Sequence, residues 1–151
     1  MNQVTSILSP ERIRIDHNAA AKSELFDDAG TLFASHDGLD PARVMTSLAA
    51  REALGSTALG QGVAIPHARL DGLQHAHGAF FRLRPAIPFD APDGKPVSEA
   101  LVLLVPDQAI EQHLQLLAEA AQMFNDRRFL AHLRNQRTAA DVWQAFADWR
   151  P

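Results

Sequence analysis

Cysteine is absent from this chain, which removes any disulfide framework, thiol nucleophile or cysteine-based zinc site. No apolar run approaches the span of a membrane helix. The opening residues 1–16 lack the basic start and long apolar core of a secretory signal. Positive charge is not in excess either: 14 basic against 18 acidic side chains leave a net charge of -4. A nucleic-acid partner calls for a basic stripe and is excluded on that ground. Internal repeats, low-complexity tracts and dividing linkers are missing as well. Together these absences predict a cytoplasmic protein without membrane insertion. What remains is 46% hydrophobic and 21% charged over 151 residues, the make-up of one globular domain, 1–151, with room for a proper core.

Hydrophobic spacing lays out the elements. Ile13 and Ile15 alternate with polar neighbours as a short strand. Leu25, Phe26, Ala29, Leu32 and Phe33 recur at helical spacing, and Gly38 closes that helix. Asp40-Pro41 opens another, an N-cap acceptor followed by proline at the first helical position, with Val44 and Leu48 facing inward. Strands are expected at 79–83 and 100–105, joined by a connection with an Asp93-Gly94 turn and punctuated by Pro85, Pro88, Pro92 and Pro96. A helix over about 110–124 carries Leu114, Leu117, Ala121 and Phe124 as its buried stripe. Asp126 and Thr138 are N-caps for two last helices. Interleaved helices and strands predict an α/β domain, a small mixed sheet covered by helices on both faces.

The chain is organised around residues 51–70, REALGSTALGQGVAIPHARL. Gly55 stops the preceding helix, Gly60 and Gly62 allow backbone angles other residues avoid, and residues 63–65 suit a buried strand. Proline cannot donate to a ladder, so the strand is expected to end at Pro66, leaving His67 on a rim. Read without further context, His67 is either a satisfied structural histidine or a reactive one. Arg51 is either an oxyanion clamp or a cation placed for a helix dipole. Ser56 and Thr57 either donate to a ligand or shape the turn, and His113 reads as a solvated helix residue. The glycines form no nucleotide loop, because no Gly-Lys-Ser/Thr follows and a strand comes next, which makes ATP an unsuitable direct donor. His75 and His77, two apart, could join His67 or His113 in a three-histidine zinc site for hydrolysis, although no His-Glu-x-x-His supports it. A serine hydrolase lacks its Gly-x-Ser-x-Gly.

The Arg-Glu of 51–52, the Gly-Ser-Thr of 55–57, the Gly-Val-Ala-Ile-Pro-His of 62–67 and the Glu-Gln-His-Leu of 111–114 carry a resemblance that spans essentially the whole chain. They resemble the type-2 IIA proteins of the bacterial phosphoenolpyruvate-dependent phosphotransferase system, the fructose–mannitol–nitrogen group, and within it the nitrogen-regulatory branch. The resemblance implies a phosphotransferase/anion-transport-like fold and a histidine phosphocarrier that uses neither metal nor organic cofactor. In that reading His67 accepts the phosphoryl group on Nε2, His113 and Arg51 assist, and Ser56 and Thr57 bind phosphate. The implied donor is the carrier protein HPr or its nitrogen-branch counterpart. The implied output is a regulatory target protein or, alternatively, a separate sugar-specific IIB component. Ala58 and Ala68 stand where the family commonly has glycine; a positive φ at either place would strain the alanine.

Overall fold

The computed structural model describes residues 2–108 and 110–151. The chain begins with a short helix α1 (Gln3–Ser6) and a 3-10 turn (Pro10–Arg12), neither of which the hydrophobic pattern signals, and enters strand β1 (Ile13–His17). Helices α2 (Lys22–Asp37) and α3 (Pro41–Ala53) follow, then the short strands β2 (Ala58–Gly60), β3 (Val63–Ala64) and β4 (His67–Leu70). The long strands β5 (His77–Ile87) and β6 (Val97–Pro106) precede helices α4 (Ile110–Asn125), α5 (Arg127–Arg134) and α6 (Ala139–Asp148).

The sheet is mixed. Its order is β1-β5-β6-β3-β2, and β4 also pairs with β6. β6 is antiparallel to β5 but parallel to both β3 and β4, which follow one another along its far edge. Its sequence is a nearly unbroken apolar run because both faces are covered. Ala100, Val102 and Leu104 face the layer built by α2 and α3, whereas Leu101, Leu103 and Val105 face the layer of α4, α5 and α6. The expected architecture is the observed one: a single α/β domain, a mixed sheet between helical layers.

Local chemistry accounts for the helix boundaries. Gly38 adopts φ 69° and receives α2 in the left-handed conformation that glycine tolerates. The Asp40 side chain accepts from Ala42 N, Asp126 from Arg128 N and Phe129 N, and Thr138 from Asp141 N. At the end of α3 the cap is Leu54 in a right-handed conformation, with Gly55 one residue beyond it, a correction to the expected glycine cap. Pro85, expected in the connection, lies inside β5.

Two departures bear on function. The ladder along β6 does not end at Pro66: its carbonyl accepts from Leu103 N at 2.9 Å, and β4 begins at the next residue. Proline forfeits a donor but keeps its acceptor, so two short strands share one neighbour across it. His67 therefore opens a strand rather than trailing one. In α4 the buried face comprises His113, Leu116, Ala120, Met123 and Phe124, while Leu114 is 61% exposed. Counting apolar residues alone set the stripe one position too late. Admitting the histidine rotates it by one residue, about 100° of helix.

Candidate active site

β4 alternates. Ala68 and Leu70 point into the α2–α3 layer, so His67 and Arg69 share the opposite face. Their register partners on β6, Leu103 and Val105, belong to the α4–α6 layer. His113 arrives on α4 from that side, and α3, which packs against β4, brings Arg51 from the edge. The result is a cleft of about 490 Å³ lined by Ser47, Arg51, His67, Arg69, His113 and Leu114, among others. Three residues singled out in the sequence, His67, Arg51 and His113, meet there.

His67 is half-buried, and its Nδ1 lies 2.9 Å from the carbonyl oxygen of Ile65. A carbonyl only accepts, so Nδ1 carries the proton and Nε2 carries the lone pair. The ring is held in one tautomer by its own backbone two residues back. Burial pushes its pKa below the ordinary histidine value; the Ile65 carbonyl and Glu52 pull the other way, while Arg51 and Arg69 add to the depression. At neutral pH the ring is thus a neutral imidazole with a directed lone pair.

His113 is a different case. It is 5% exposed, and neither ring nitrogen has a hydrogen-bond partner among the described residues. Its pKa is also lowered, first by burial and then by Arg69, against an upward pull from Asp107. Buried polar groups are normally satisfied, so this imidazole in the cleft wall is an exception. Arg51, near the C-terminus of α3, donates Nη1 to the Gly55 carbonyl at 2.9 Å, which steadies the guanidinium at the edge of the cleft.

The structure does not bring Ser56 and Thr57 into the cleft as phosphate donors. The Ser56 hydroxyl donates to the Phe89 carbonyl at 2.5 Å and accepts from Ala58 N. Thr57 is buried and donates its hydroxyl to Glu52 Oε1 at 2.6 Å and its backbone N–H to Glu52 Oε2 at 3.1 Å. Both hydroxyls are consumed in shaping the loop. The buried Glu52, whose carboxylate also receives Lys22 Nζ at 2.9 Å, is the hub of that loop and was not singled out by the sequence as a site residue. Its carboxylate ties the N-terminus of α2 to the 55–57 turn, and that turn in turn receives Arg51. Arg69 is the other omission. The strand end expected at Pro66 hid it, since residues i and i+2 share a face only once 67–70 is seen to be a strand.

The zinc alternative is corrected by topology. His77 pairs in register with Leu104, on the α2–α3 face, and its Nδ1 lies 3.2 Å from Asp37 Oδ1, with the His75 ring 4.5 Å away. The sheet separates this pair from His67 and His113, and among the described residues no group of three or more histidine, aspartate or glutamate side chains could hold a metal ion. Ala58 and Ala68 both sit in strands, and neither is among the residues with positive φ. The two alanines impose no strain.

A mixed sheet between helical layers, presenting a neutral, oriented imidazole beside guanidinium groups, defines an α/β protein equipped to take up a phosphoryl group. Comparison with known proteins agrees. Residues 6–149 match the family described as "Phosphoenolpyruvate-dependent sugar phosphotransferase system, EIIA 2", and the chain belongs to that family. It is thereby a IIA component, a phosphocarrier class, of the phosphotransferase system, and it stands with the nitrogen-regulatory branch. A "Nitrogen regulatory protein" of Pseudomonas aeruginosa is 37% identical over 149 residues, covering 98% of this chain and 97% of the relative. The crystal structure of nitrogen regulatory protein IIA-Ntr from Neisseria meningitidis superposes with a TM-score of 0.90 at 42% identity, covering 95% of this chain and 99% of that one. A "PTS system fructose-specific EIIA component" of Haloferax volcanii is 32% identical over 152 residues, covering 94% of this chain and 95% of the relative. No helix among the described residues is long and apolar enough to cross a membrane.

Proposed function

We propose that the whole chain acts as one phosphocarrier domain in which His67 Nε2 accepts a phosphoryl group from an HPr-like phosphohistidine donor. The observation that supports this most is the hydrogen bond from Nδ1 to the Ile65 carbonyl, because it leaves one nitrogen free and directs it. The His67 Nε2 lone pair forms a new N–P bond as the donor's N–P bond breaks, and that electron pair returns to the donor imidazole. His67 keeps its Nδ1 proton throughout and gains positive charge, which the Ile65 carbonyl stabilises. Because phosphoryl transfer depends mainly on positioning and on stabilising charge on the equatorial oxygens, the remaining task falls to cations and donors. Arg51 supplies a planar fork suited to two oxygens. His113, protonated on one nitrogen, supplies the hydrogen bond it does not spend internally. Ser56 and Thr57 enter this reading as the loop that holds Arg51 in place.

In the proposed output the phosphorylated and unphosphorylated forms bind a regulatory target differently. The added group brings nearly two negative charges to a rim that had none of its own. Similarity to nitrogen regulatory proteins supports this reading. A second reading, transfer to a separate sugar-specific IIB, is favoured by the fructose-specific relative of nearly equal coverage. Incubation with phosphorylated HPr followed by intact-mass measurement tests acceptance, and a protein that gains no phosphoryl group contradicts it. Adding a purified fructose IIB then separates the outputs: retention of the label supports regulation, and prompt loss to IIB supports uptake.

A further inference from the structure

We propose that Arg69 is a second guanidinium, alongside Arg51, that binds the phosphoryl group on His67; this deepens the proposed phosphocarrier reading and rests on it.

Three observations converge. Arg69 lies two residues after His67 on β4 and lines the same cleft, so the strand itself carries both side chains to one face. It is exposed, and among the described residues its side chain has neither an ion pair nor a hydrogen bond, whereas Arg51 already spends one nitrogen on Gly55. Its charge is also the one cation felt by both imidazoles, His67 and His113. The surroundings explain why it is left free. Glu52, the buried carboxylate near His67, is committed to Lys22 and Thr57. Asp107, the acidic group whose charge reaches His113, is exposed in the segment after β6.

The cleft thus holds two guanidinium groups and two neutral imidazoles. That charge is complementary to a phosphoryl dianion and has no counterpart among the side chains already there. Among the described residues Arg69 has no acidic partner, so its charge is uncommitted. With the phosphoryl group in place, Arg51 and Arg69 share its three equatorial oxygens. The N–P bond at His67 is formed by the step already described; Arg69 adds no bond and moves no proton.

Phosphoramidate, which phosphorylates imidazole without any protein donor, tests the proposal independently of HPr. In 31P NMR the phosphohistidine at His67 titrates with an apparent value that reports the charges around it, and contact with Arg69 holds this value down in the unaltered protein. Arg69→Gln raises it and slows acceptance from phosphorylated HPr about a hundredfold or more, the scale for losing one transition-state donor. Arg69→Lys restores part of both, because it keeps the charge and loses the fork. A phosphoryl ionisation and an acceptance rate that ignore residue 69 overturn this proposal and leave His67 standing. Failure of the unaltered protein to form any adduct at His67 overturns both together.

Discussion

At one end of the sheet, on its two faces, stand two clusters built from nearly the same residue types. On the α2–α3 face, Arg12 donates to both oxygens of Asp37 and to the Gly78 carbonyl, and His77 leans on the same carboxylate with His75 against it. On the α4–α6 face, His67, His113, Arg51 and Arg69 line an open cleft. The first cluster is closed on itself. Burial alone would raise the Asp37 pKa, but the Arg12 hydrogen bonds and the charges of His77 and Arg12 outweigh it and hold the carboxyl below its usual value. Among the described residues the second cluster has no carboxylate lining its cleft, and the ring nitrogens of His113 go unpartnered. The difference teaches that histidine and arginine content does not mark a site; an unmatched set of charges and donors does.

Substitutions on each face sharpen that contrast. The largest effect is expected from His67→Ala, which abolishes phosphoryl acceptance while leaving the urea midpoint close to that of the unaltered protein. A mutant that still takes label from phosphorylated HPr removes His67 from the mechanism. His113→Leu comes next: transfer slows about a hundredfold, the lower range for losing one hydrogen-bond donor to transition-state charge. Its stability holds or rises, because an apolar side chain replaces an orphaned buried ring. Loss of stability with unchanged transfer makes His113 a core residue and nothing more.

The closed cluster predicts the reverse. Asp37→Asn leaves transfer intact but lowers stability by about 3 kcal/mol, since Arg12 and His77 lose their shared anion in a largely buried setting. Equal damage to transfer breaks the division between the faces.

The smallest effect is a pH dependence common to both. His67, His113 and His77 all lie below the ordinary imidazole value. Between the lowered and the ordinary values the folded protein binds fewer protons than the unfolded chain, so stability is complete above about pH 6.5 and falls as the pH drops through the lowered values. Urea midpoints measured at about pH 7.5 and 5.5 should show the loss, and His113→Leu should show less of it. Identical midpoints contradict the assigned directions.

Much of this was legible in the residues because it depends on near neighbours. Asp40, Asp126 and Thr138 each satisfy backbone donors two or three residues on, and such contacts need no knowledge of the fold. The face of α4 was not legible in the same way. Leu114 and Leu116 offer two overlapping stripes, and only the position of the sheet decides that a histidine, not Leu114, turns inward. Pro66 misled for a related reason: a proline ends pairing on its donor side, yet β6 needed only its carbonyl. Glu52 and Thr57 lie five residues apart, but their significance comes from Lys22, thirty residues earlier, which completes the charge. Arg69 carries no local signal, because it shares a cleft with His113 only through the packing of α4 against the sheet. Local rules locate elements; an unsatisfied site emerges only when distant elements are seen to leave it unsatisfied.

The most direct test of the central claim is the identity of the nitrogen that carries phosphorus. Long-range 1H–15N and 31P correlation spectra of the protein phosphorylated by HPr distinguish the two positions on the His67 ring. With Nδ1 donating to the Ile65 carbonyl, the phosphoryl group is predicted on Nε2 with the Nδ1 proton retained. Phosphorus on Nδ1, or on any residue other than His67, would contradict the account.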